Sequence, residues 1–223
     1  IIWPETSAPG FLGWDQAMTT RLQTLAQSIG RPLLVGAPTI EPTDDITQNV
    51  RLLNSAILFD GEGGILHRYD KLHLVPFGEF IPFESVMPWL RSVLPPIGDF
   101  VPGHEYTVFR LDRSGLRAEG SGQERGPEPR AQSPELRFST LICFEDIFPA
   151  LARRFVQQGA QWLVVITNDA WFGKTAAAYQ HAQASTLRAV ELRVPVVRAA
   201  NTGWSGCITD TGQRITSVRT APG

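Results

Sequence analysis

Short apolar runs alternate with amphipathic stretches along most of the chain. The apolar runs have the length of β-strands and fall at residues 33–35, 55–59, 65–69, 138–142, 162–167, 195–200, 206–209 and 214–218. The amphipathic stretches at residues 14–29, 146–158 and 176–193 predict helices. The turn sequence DGEGG at residues 60–64 predicts a hairpin between two of the strands. Strands joined both by hairpins and by helices predict an α/β domain with a mixed sheet.

Two segments depart from this pattern. Residues 113–137 are rich in Gly, Pro, Ser and charge and have almost nothing to bury, which predicts a flexible surface insertion. Residues 76–100 contain five prolines and many large apolar side chains. We expect a loop this apolar to pack beneath another part of the protein, or to face an apolar ligand or a membrane surface.

Composition restricts the class of protein. With 223 residues, 43% of them hydrophobic, the chain can bury a sizeable core, and residues 1–223 are interpreted as one domain. The net charge of −2 gives no electrostatic reason to expect a nucleic-acid partner. The longest apolar run, residues 162–166, is far shorter than the roughly 20 residues that span a bilayer. Residue 1 lies inside a strand-like run without an initiator Met, and residues 219–223 stop without a clear closing element, so we expect the chain to be truncated at both ends.

The apolar run 138–142 ends in Cys143, which is either a buried core residue or a nucleophile presented at a strand end. A thiol nucleophile needs a proton acceptor, and none of the four histidines stands in a recognisable Cys/His pattern. Glu5 follows an apolar run and is a candidate base, while Lys71 follows the predicted hairpin and is a candidate for stabilising an oxyanion. Taken singly, each residue is more typical of core or surface. A helix beginning near Asp146 would favour the Cys143 thiolate.

Other chemistries find no support in the sequence. The histidines do not cluster with acids or cysteines at metal-ligand spacing, and no glycine-rich nucleotide-binding motif is present, so neither a metal nor a cofactor is predicted. Two cysteines, Cys143 and Cys207, are too few for a disulfide scaffold.

Five segments, taken together, carry a family resemblance. They are WPET at 3–6, YDKLHLVPFGEFIPF at 69–83, LICFEDIFP at 141–149, TNDAWFG at 167–173 and RAANTGWSG at 198–206. They resemble the apolipoprotein N-acyltransferase family, the membrane-bound branch of the nitrilase (carbon-nitrogen hydrolase) superfamily. The resemblance covers nearly the whole chain except residues 113–137. It implies the nitrilase-like α-β-β-α sandwich, with membrane-spanning helices that lie outside residues 1–223.

The same resemblance implies the roles of individual residues. Glu5 would be the general base, Lys71 would stabilise the oxyanion and Cys143 would be the nucleophile. Further positions of the family's site match Glu79, Phe144 and Glu145, with Phe144 standing where the family often has Tyr. The candidates for a pocket or lid are Phe80, Trp89, Asn168 and Trp171, although the TNDAWF segment would equally suit a tight turn.

The implied activity is acyl transfer. A phospholipid acyl donor would acylate Cys143 as a thioester, and the N-terminal amine of an apolipoprotein acceptor would then take the acyl chain. The resemblance implies no cofactor, and it implies a place in the bacterial inner membrane with this domain on the periplasmic side. Two alternatives stay open. One is a soluble amidase of the same superfamily that acts on a small amide, and the other is a catalytically inactive nitrilase-like binding domain.

Overall fold

The computed structural model describes residues 1–43, 50–83, 86, 89, 92, 99–111 and 135–219, and this part forms nine strands and three α-helices. The strands are β1 (Leu33–Pro42), β2 (Val50–Phe59), β3 (Ile65–Asp70), β4 (Phe109–Leu111), β5 (Leu136–Ile142), β6 (Trp162–Thr167), β7 (Val196–Ala200), β8 (Trp204–Ile208) and β9 (Arg214–Arg219). The helices are α1 (Gln16–Ile29), α2 (Pro149–Gln157) and α3 (Ala177–Leu192), and two 3-10 helices cover Cys143–Ile147 and Asp169–Phe172.

The strands form two sheets. Three strands, β1-β2-β3, make an antiparallel sheet, and the predicted hairpin at residues 60–64 joins β2 to β3. The other six form a mixed sheet in the order β4-β5-β6-β7-β8-β9, in which β5, β6 and β7 are parallel and the flanking pairs are antiparallel. The mixed sheet predicted from the sequence pattern is therefore present, beside a second sheet.

Strand β1 shows how the layers are built, because its successive side chains point to opposite faces. Leu33 and Val35 pack with Leu22 of α1 in one buried cluster. Leu34, between them, belongs to a second cluster that includes Leu141 of β5. Helix α3 contacts β7 and β8 of the six-stranded sheet and also packs against α2. The order of layers is helix, sheet, sheet, helix, which is the α-β-β-α sandwich that the resemblance implies.

Helix α1 has both of its ends defined by local chemistry. The Asp15 side chain accepts a hydrogen bond from the Met18 N–H at 3.0 Å and so caps the first turn. Gly30 ends the helix in a left-handed conformation, with φ of 62°, that costs glycine little. The predicted range of residues 14–29 was thus two residues too long at its start.

One difference from the predicted elements follows Cys143. A helix was expected from residue 146, but a 3-10 helix covers Cys143–Ile147 and α2 begins only at Pro149. Proline lacks a backbone N–H and its ring fixes φ, so it suits the first turn of a new helix. Strand β4 was not predicted, because three residues carry too little periodicity.

The predicted insertion at residues 113–137 is too long at its end. Leu136 already belongs to β5 and pairs with Leu111 of β4, while residues 113–134 lie outside the described part of the chain. Across the described residues, no helix combines the length and apolar character needed to cross a membrane.

Candidate active site

Glu5 lies in a buried position beside β1, with 6% of its surface exposed. Its Oε1 accepts a hydrogen bond from the Asn54 side-chain amide at 2.8 Å, and its Oε2 accepts one from the Asn168 backbone N–H, also at 2.8 Å. Asn54 belongs to β2, and Asn168 directly follows β6. The carboxyl group of Glu5 therefore joins the two sheets.

Lys71 directly follows β3 and is 1% exposed. Its Nζ lies 3.5 Å from Glu5 Oε1 and 2.9 Å from Glu79 Oε2. Burial lowers the pKa of the Lys71 ammonium, but the charges of Glu5 and Glu79 outweigh burial and hold that pKa well above its ordinary value. Lys71 is therefore a buried cation between two carboxylates.

The carboxyl group of Glu79 is held by three groups. It accepts hydrogen bonds from the Val75 N–H at 2.8 Å and from the Asn54 amide at 2.7 Å, and it pairs with Lys71. Asn54 donates to both Glu5 and Glu79, so the amide fixes the separation of the two carboxylates on either side of Lys71. The Asn54 Oδ1 is buried and has no hydrogen-bond partner among the described residues.

Cys143 begins the 3-10 helix at the end of β5, and its φ of 53° lies in the left-handed region, which is strained for a residue with a side chain. Because β5 and β6 run parallel, with Ile142 paired to Ile166, Cys143 and Thr167 leave the sheet at the same edge. The neighbouring Thr167 side chain acts to lower the pKa of the Cys143 thiol. The next residue, Asn168, is the one that binds Glu5.

The surroundings of Cys143 favour its thiol form. Burial raises the pKa of Cys143 to about 12, the Glu5 carboxylate adds to that rise, and the Lys71 ammonium opposes it. The Phe144 backbone N–H in the first turn of the 3-10 helix does lower the pKa of Cys143, as expected of a helix N-terminus, but its effect is outweighed. The 3-10 helix is only five residues long, and burial together with a nearby negative charge dominates.

Glu145 is fully buried and accepts hydrogen bonds from four groups. The Tyr69 hydroxyl donates to both carboxyl oxygens at 2.8 and 2.9 Å, and the N–H groups of Leu72, His73 and Ile142 donate at 2.7, 3.0 and 2.8 Å. Burial raises the pKa of Glu145 to about 7, although the backbone donors oppose the rise. Glu145 thus ties the loop after Lys71 to the strand that precedes Cys143.

The other predicted site residues lie around this buried group. The Phe144 ring is partly buried and meets the Phe148 ring edge-on, with centroids 5.7 Å apart. Phe80 is partly buried, whereas Trp89 and Trp171 are 61% and 80% exposed. Asn168 serves the site through its backbone N–H, while its side-chain oxygen accepts a hydrogen bond from Asn201.

Sequence reasoning missed several residues that contact the site, among them Asn54 and Thr167. Asn54 lies between the apolar residues 52–53 and 56–59 of β2, and an amide buried there needs polar partners, so this signal was available. Thr167 ends an apolar strand in an unremarkable way, and nothing in the sequence distinguishes it. Its position depends on the pairing of β5 with β6.

Comparison with known proteins gives consistent relatives. The carbon-nitrogen hydrolase family matches residues 1–218. The apolipoprotein N-acyltransferase of Geobacter metallireducens is 39% identical over 212 residues, covering 95% of this chain and 36% of the relative. Those of Bdellovibrio bacteriovorus and Bradyrhizobium diazoefficiens are 34% and 36% identical over 218 and 219 residues, covering 95% and 98% of this chain and 36% and 37% of the relatives. The chain thus spans little more than a third of the length of these relatives.

Solved structures share the fold. A variant of the amidase from Nesterenkonia sp. AN1 superposes with a TM-score of 0.63 at 20% identity, covering 100% of this chain and 73% of the amidase. Saccharomyces cerevisiae Nit3, a member of the nitrilase superfamily, gives a TM-score of 0.57 at 18% identity, covering 90% of this chain and 60% of Nit3. At these identities the likeness shows the architecture alone.

Proposed function

The chain belongs to the carbon-nitrogen hydrolase family, and from this premise we propose that it is the catalytic domain of an apolipoprotein N-acyltransferase. The observation that carries the proposal is that relatives of that name match almost the whole chain at 31–39% identity. The amidase alternative has less support, because the likeness to amidases is at 20% identity and concerns the fold.

In this proposal Glu5 is the general base. A thiol with a pKa near 12 is not ionised at neutral pH, so Cys143 needs a base that removes its proton as it attacks. Glu5 is the carboxylate whose charge acts most strongly on that thiol. The Lys71 ammonium, already buried and charged, is suited to stabilise the oxyanion without reorganisation.

The reaction then proceeds in two acyl transfers. Cys143 Sγ attacks the ester carbonyl of a phospholipid while its proton passes to Glu5, and the lysophospholipid leaves with that proton on its alkoxide oxygen. In the second transfer the free amine of the diacylglyceryl cysteine at the apolipoprotein N-terminus attacks the thioester. An amide bond forms, the C–S bond breaks, and the amine proton returns to Cys143 through Glu5.

Exposed aromatic side chains suit a lipid substrate. Phe77, Phe83 and Trp89 lie in the apolar segment 76–100 and are 54%, 72% and 61% exposed, and Trp171 is 80% exposed. We propose that these side chains contact the acyl chain or the bilayer, with the domain on the periplasmic side of the inner membrane. The membrane-spanning parts would lie outside residues 1–223.

The test uses the full-length gene product in detergent, with phospholipid and without an acceptor, and records the mass of the intact protein. We expect a fatty-acyl adduct that hydroxylamine removes, present in the Cys207→Ala control and absent from Cys143→Ala. Hydrolysis of small amides without an adduct would indicate the amidase, and the absence of both activities would indicate a binding role.

The role of the exposed aromatic side chains is tested in the same assay with membrane-embedded phospholipid. Trp89→Glu should lower adduct formation more than Ile215→Glu, which charges an exposed apolar residue on β9.

A further inference from the structure

A cluster of charged side chains is buried next to Cys143. It consists of Asp146, Asp169, His181 and Arg198, and none of these side chains is more than 7% exposed. Arg198 contacts Asp146 Oδ2 at 3.1 Å and Asp169 Oδ2 at 2.8 Å. None of these four residues has a part in the proposed acyl transfers.

His181 completes the cluster between the same two acids. Its Nδ1 lies 2.9 Å from Asp169 Oδ1 and its Nε2 lies 3.0 Å from Asp146 Oδ1. Two carboxylates facing one guanidinium are balanced only when the imidazole is protonated. Burial and the charge of Arg198, whose Nη2 lies 3.0 Å from His181 Nδ1, lower the pKa of His181, but the interactions with Asp146 and Asp169 outweigh them and raise it to about 9. The imidazolium is therefore the form present at neutral pH.

The cluster reaches Cys143 at two points. The His181 Nε2 lies 3.2 Å from the backbone carbonyl oxygen of Cys143, so the contact is with the main chain and not with the thiol. The Thr167 hydroxyl donates to Asp169 Oδ1 at 2.9 Å, and the same side chain acts to lower the pKa of the neighbouring Cys143 thiol. The first contact is with the backbone of Cys143, and the second group adjoins its side chain.

A residue held at a φ of 53° needs such contacts, because the left-handed conformation is unfavourable for cysteine and persists only where its surroundings enforce it. We propose that His181 and Thr167 are positioning residues, through which the buried charge cluster holds the backbone and sulfur of Cys143 in the attacking geometry. This inference rests on the proposed function of Cys143 as the nucleophile.

Two substitutions of His181 separate positioning from stability. Glutamine places its amide near the position of Nε2 and keeps a donor for the Cys143 carbonyl, whereas asparagine reaches only the position of Nδ1. Both remove the positive charge. Positioning predicts that His181→Asn slows the reaction of Cys143 by roughly tenfold to a hundredfold and that His181→Gln restores most of the rate.

The measurement is the rate of alkylation of Cys143 by iodoacetamide in the full-length protein, followed by peptide mass spectrometry across pH 6–9, with Cys207 as the internal reference. Alkylation does not require acyl transfer, so a missing acyl adduct would refute the proposed function without deciding this comparison. Equal Cys143 rates in the Gln and Asn variants, both folded, would overturn the proposal and leave the cluster a purely structural role.

A second pair of variants, at Thr167, tests the proposal if the His181 variants unfold. Thr167→Val removes the hydroxyl that donates to Asp169 beside the thiol and leaves all ion pairs of the cluster intact, while Thr167→Ser keeps the hydroxyl. We expect Thr167→Val to change the rate and pH profile of Cys143 alkylation by tenfold or more and Thr167→Ser to resemble the parent protein. Indistinguishable profiles for the two variants would contradict the proposal.

Discussion

Three carboxyl groups of the site, of which Glu5 and Glu145 are buried and Glu79 is partly buried, are stabilised in different ways. Glu5 and Glu79 share the Lys71 ammonium and the Asn54 amide, so charge and hydrogen bonds act together on them. Glu145 has only neutral donors as hydrogen-bond partners, and its pKa rises to about 7 because burial outweighs them. Each hydrogen bond donated to Glu145 should therefore contribute more to the free energy of unfolding when the Glu145 carboxyl group is ionised.

Removing the Tyr69 hydroxyl, one of the donors to Glu145, tests this expectation. The pKa of Tyr69 is held well above the ordinary value by burial and by the Glu145 charge, so it remains a neutral donor. We expect Tyr69→Phe to lower the free energy of unfolding by about 1.5–3 kcal/mol at pH 8, where Glu145 is ionised, and by less at pH 5. Urea denaturation at both values measures the difference.

The matched control is Tyr106→Phe, because Tyr106 is 40% exposed. Its unfolding free energy should change by no more than about 0.5 kcal/mol at either pH. A Tyr69→Phe effect that is the same at pH 5 and pH 8 would contradict the role assigned to the hydroxyl.

Among the elements, the contact between the first residues and β1 positions Glu5. The Trp3 N–H donates to the Leu34 carbonyl at 2.8 Å, and the Ser7 N–H donates to the Gly36 carbonyl at 2.9 Å. Between them the backbone passes so close to β1 that a Cβ on Gly36 would lie 2.5 Å from the Pro4 carbonyl oxygen and 2.6 Å from Glu5 Cα. Only glycine fits at that position of the strand.

Gly36→Ala should therefore displace Glu5. The new methyl group meets backbone atoms, which cannot rotate away as a side chain would, so the segment of residues 1–7 has to move. We expect the rate of Cys143 acylation in the full-length protein to fall by about a hundredfold, as a displacement near 1 Å can cost that much. Intact-mass kinetics with phospholipid measure the rate.

Val35→Ala controls for stability loss on the same strand. Val35 is fully buried in the cluster with α1, and its truncation costs stability while placing no new atom against the backbone of Glu5. At a temperature where both variants are folded, Val35→Ala should keep most of the acylation rate. Equal losses in the two variants would show that the effect of Gly36→Ala is not specific to Glu5.

For the whole molecule, folding brings together charges from distant parts of the chain. Glu5 and Lys71 accompany the three-stranded sheet, whereas Cys143 follows β5 of the six-stranded sheet and the charge cluster lies on β7, α3 and the two 3-10 helices. Burying a balanced cluster is tolerable only while every member keeps its charge. The stability of the whole fold should therefore depend on the protonation of His181.

The expected pH dependence follows from the raised pKa. His181 has an ordinary pKa of 6.5 and a pKa of about 9 in the folded protein, so its contribution is complete below pH 6.5 and is lost as the pH rises through 9. The loss amounts to about 3 kcal/mol at most, since one pKa unit corresponds to about 1.4 kcal/mol. Urea denaturation of the chain from pH 6 to 9 measures it.

Substitutions of two histidines test whether the pH dependence of the unfolding free energy arises from His181. His181→Gln should flatten the fall in unfolding free energy between pH 6.5 and 9, while His67→Gln, at an exposed position on β3, should leave it unchanged. A slope that survives in His181→Gln would have to come from another group.

The sequence by itself determined the family, the α/β class, most of the strands and helices, and the candidates Glu5, Lys71 and Cys143. Apolar periodicity and motif order are local properties, so they can be read along the chain. Where each strand or helix ends was less certain. Gly30 ends α1 and Pro149 begins α2 through capping geometry that periodicity does not report.

Only the tertiary structure decided what surrounds those candidates. Asn54 and Thr167 contact the site because separate strands meet at one edge, and the high pKa of Cys143 arises from burial and from a carboxylate far away in the sequence. His181 fits no Cys/His pattern in the sequence, yet it contacts the Cys143 carbonyl and two buried acids. Burial and long-range charge are properties of the folded packing, and no local pattern of residues contains them.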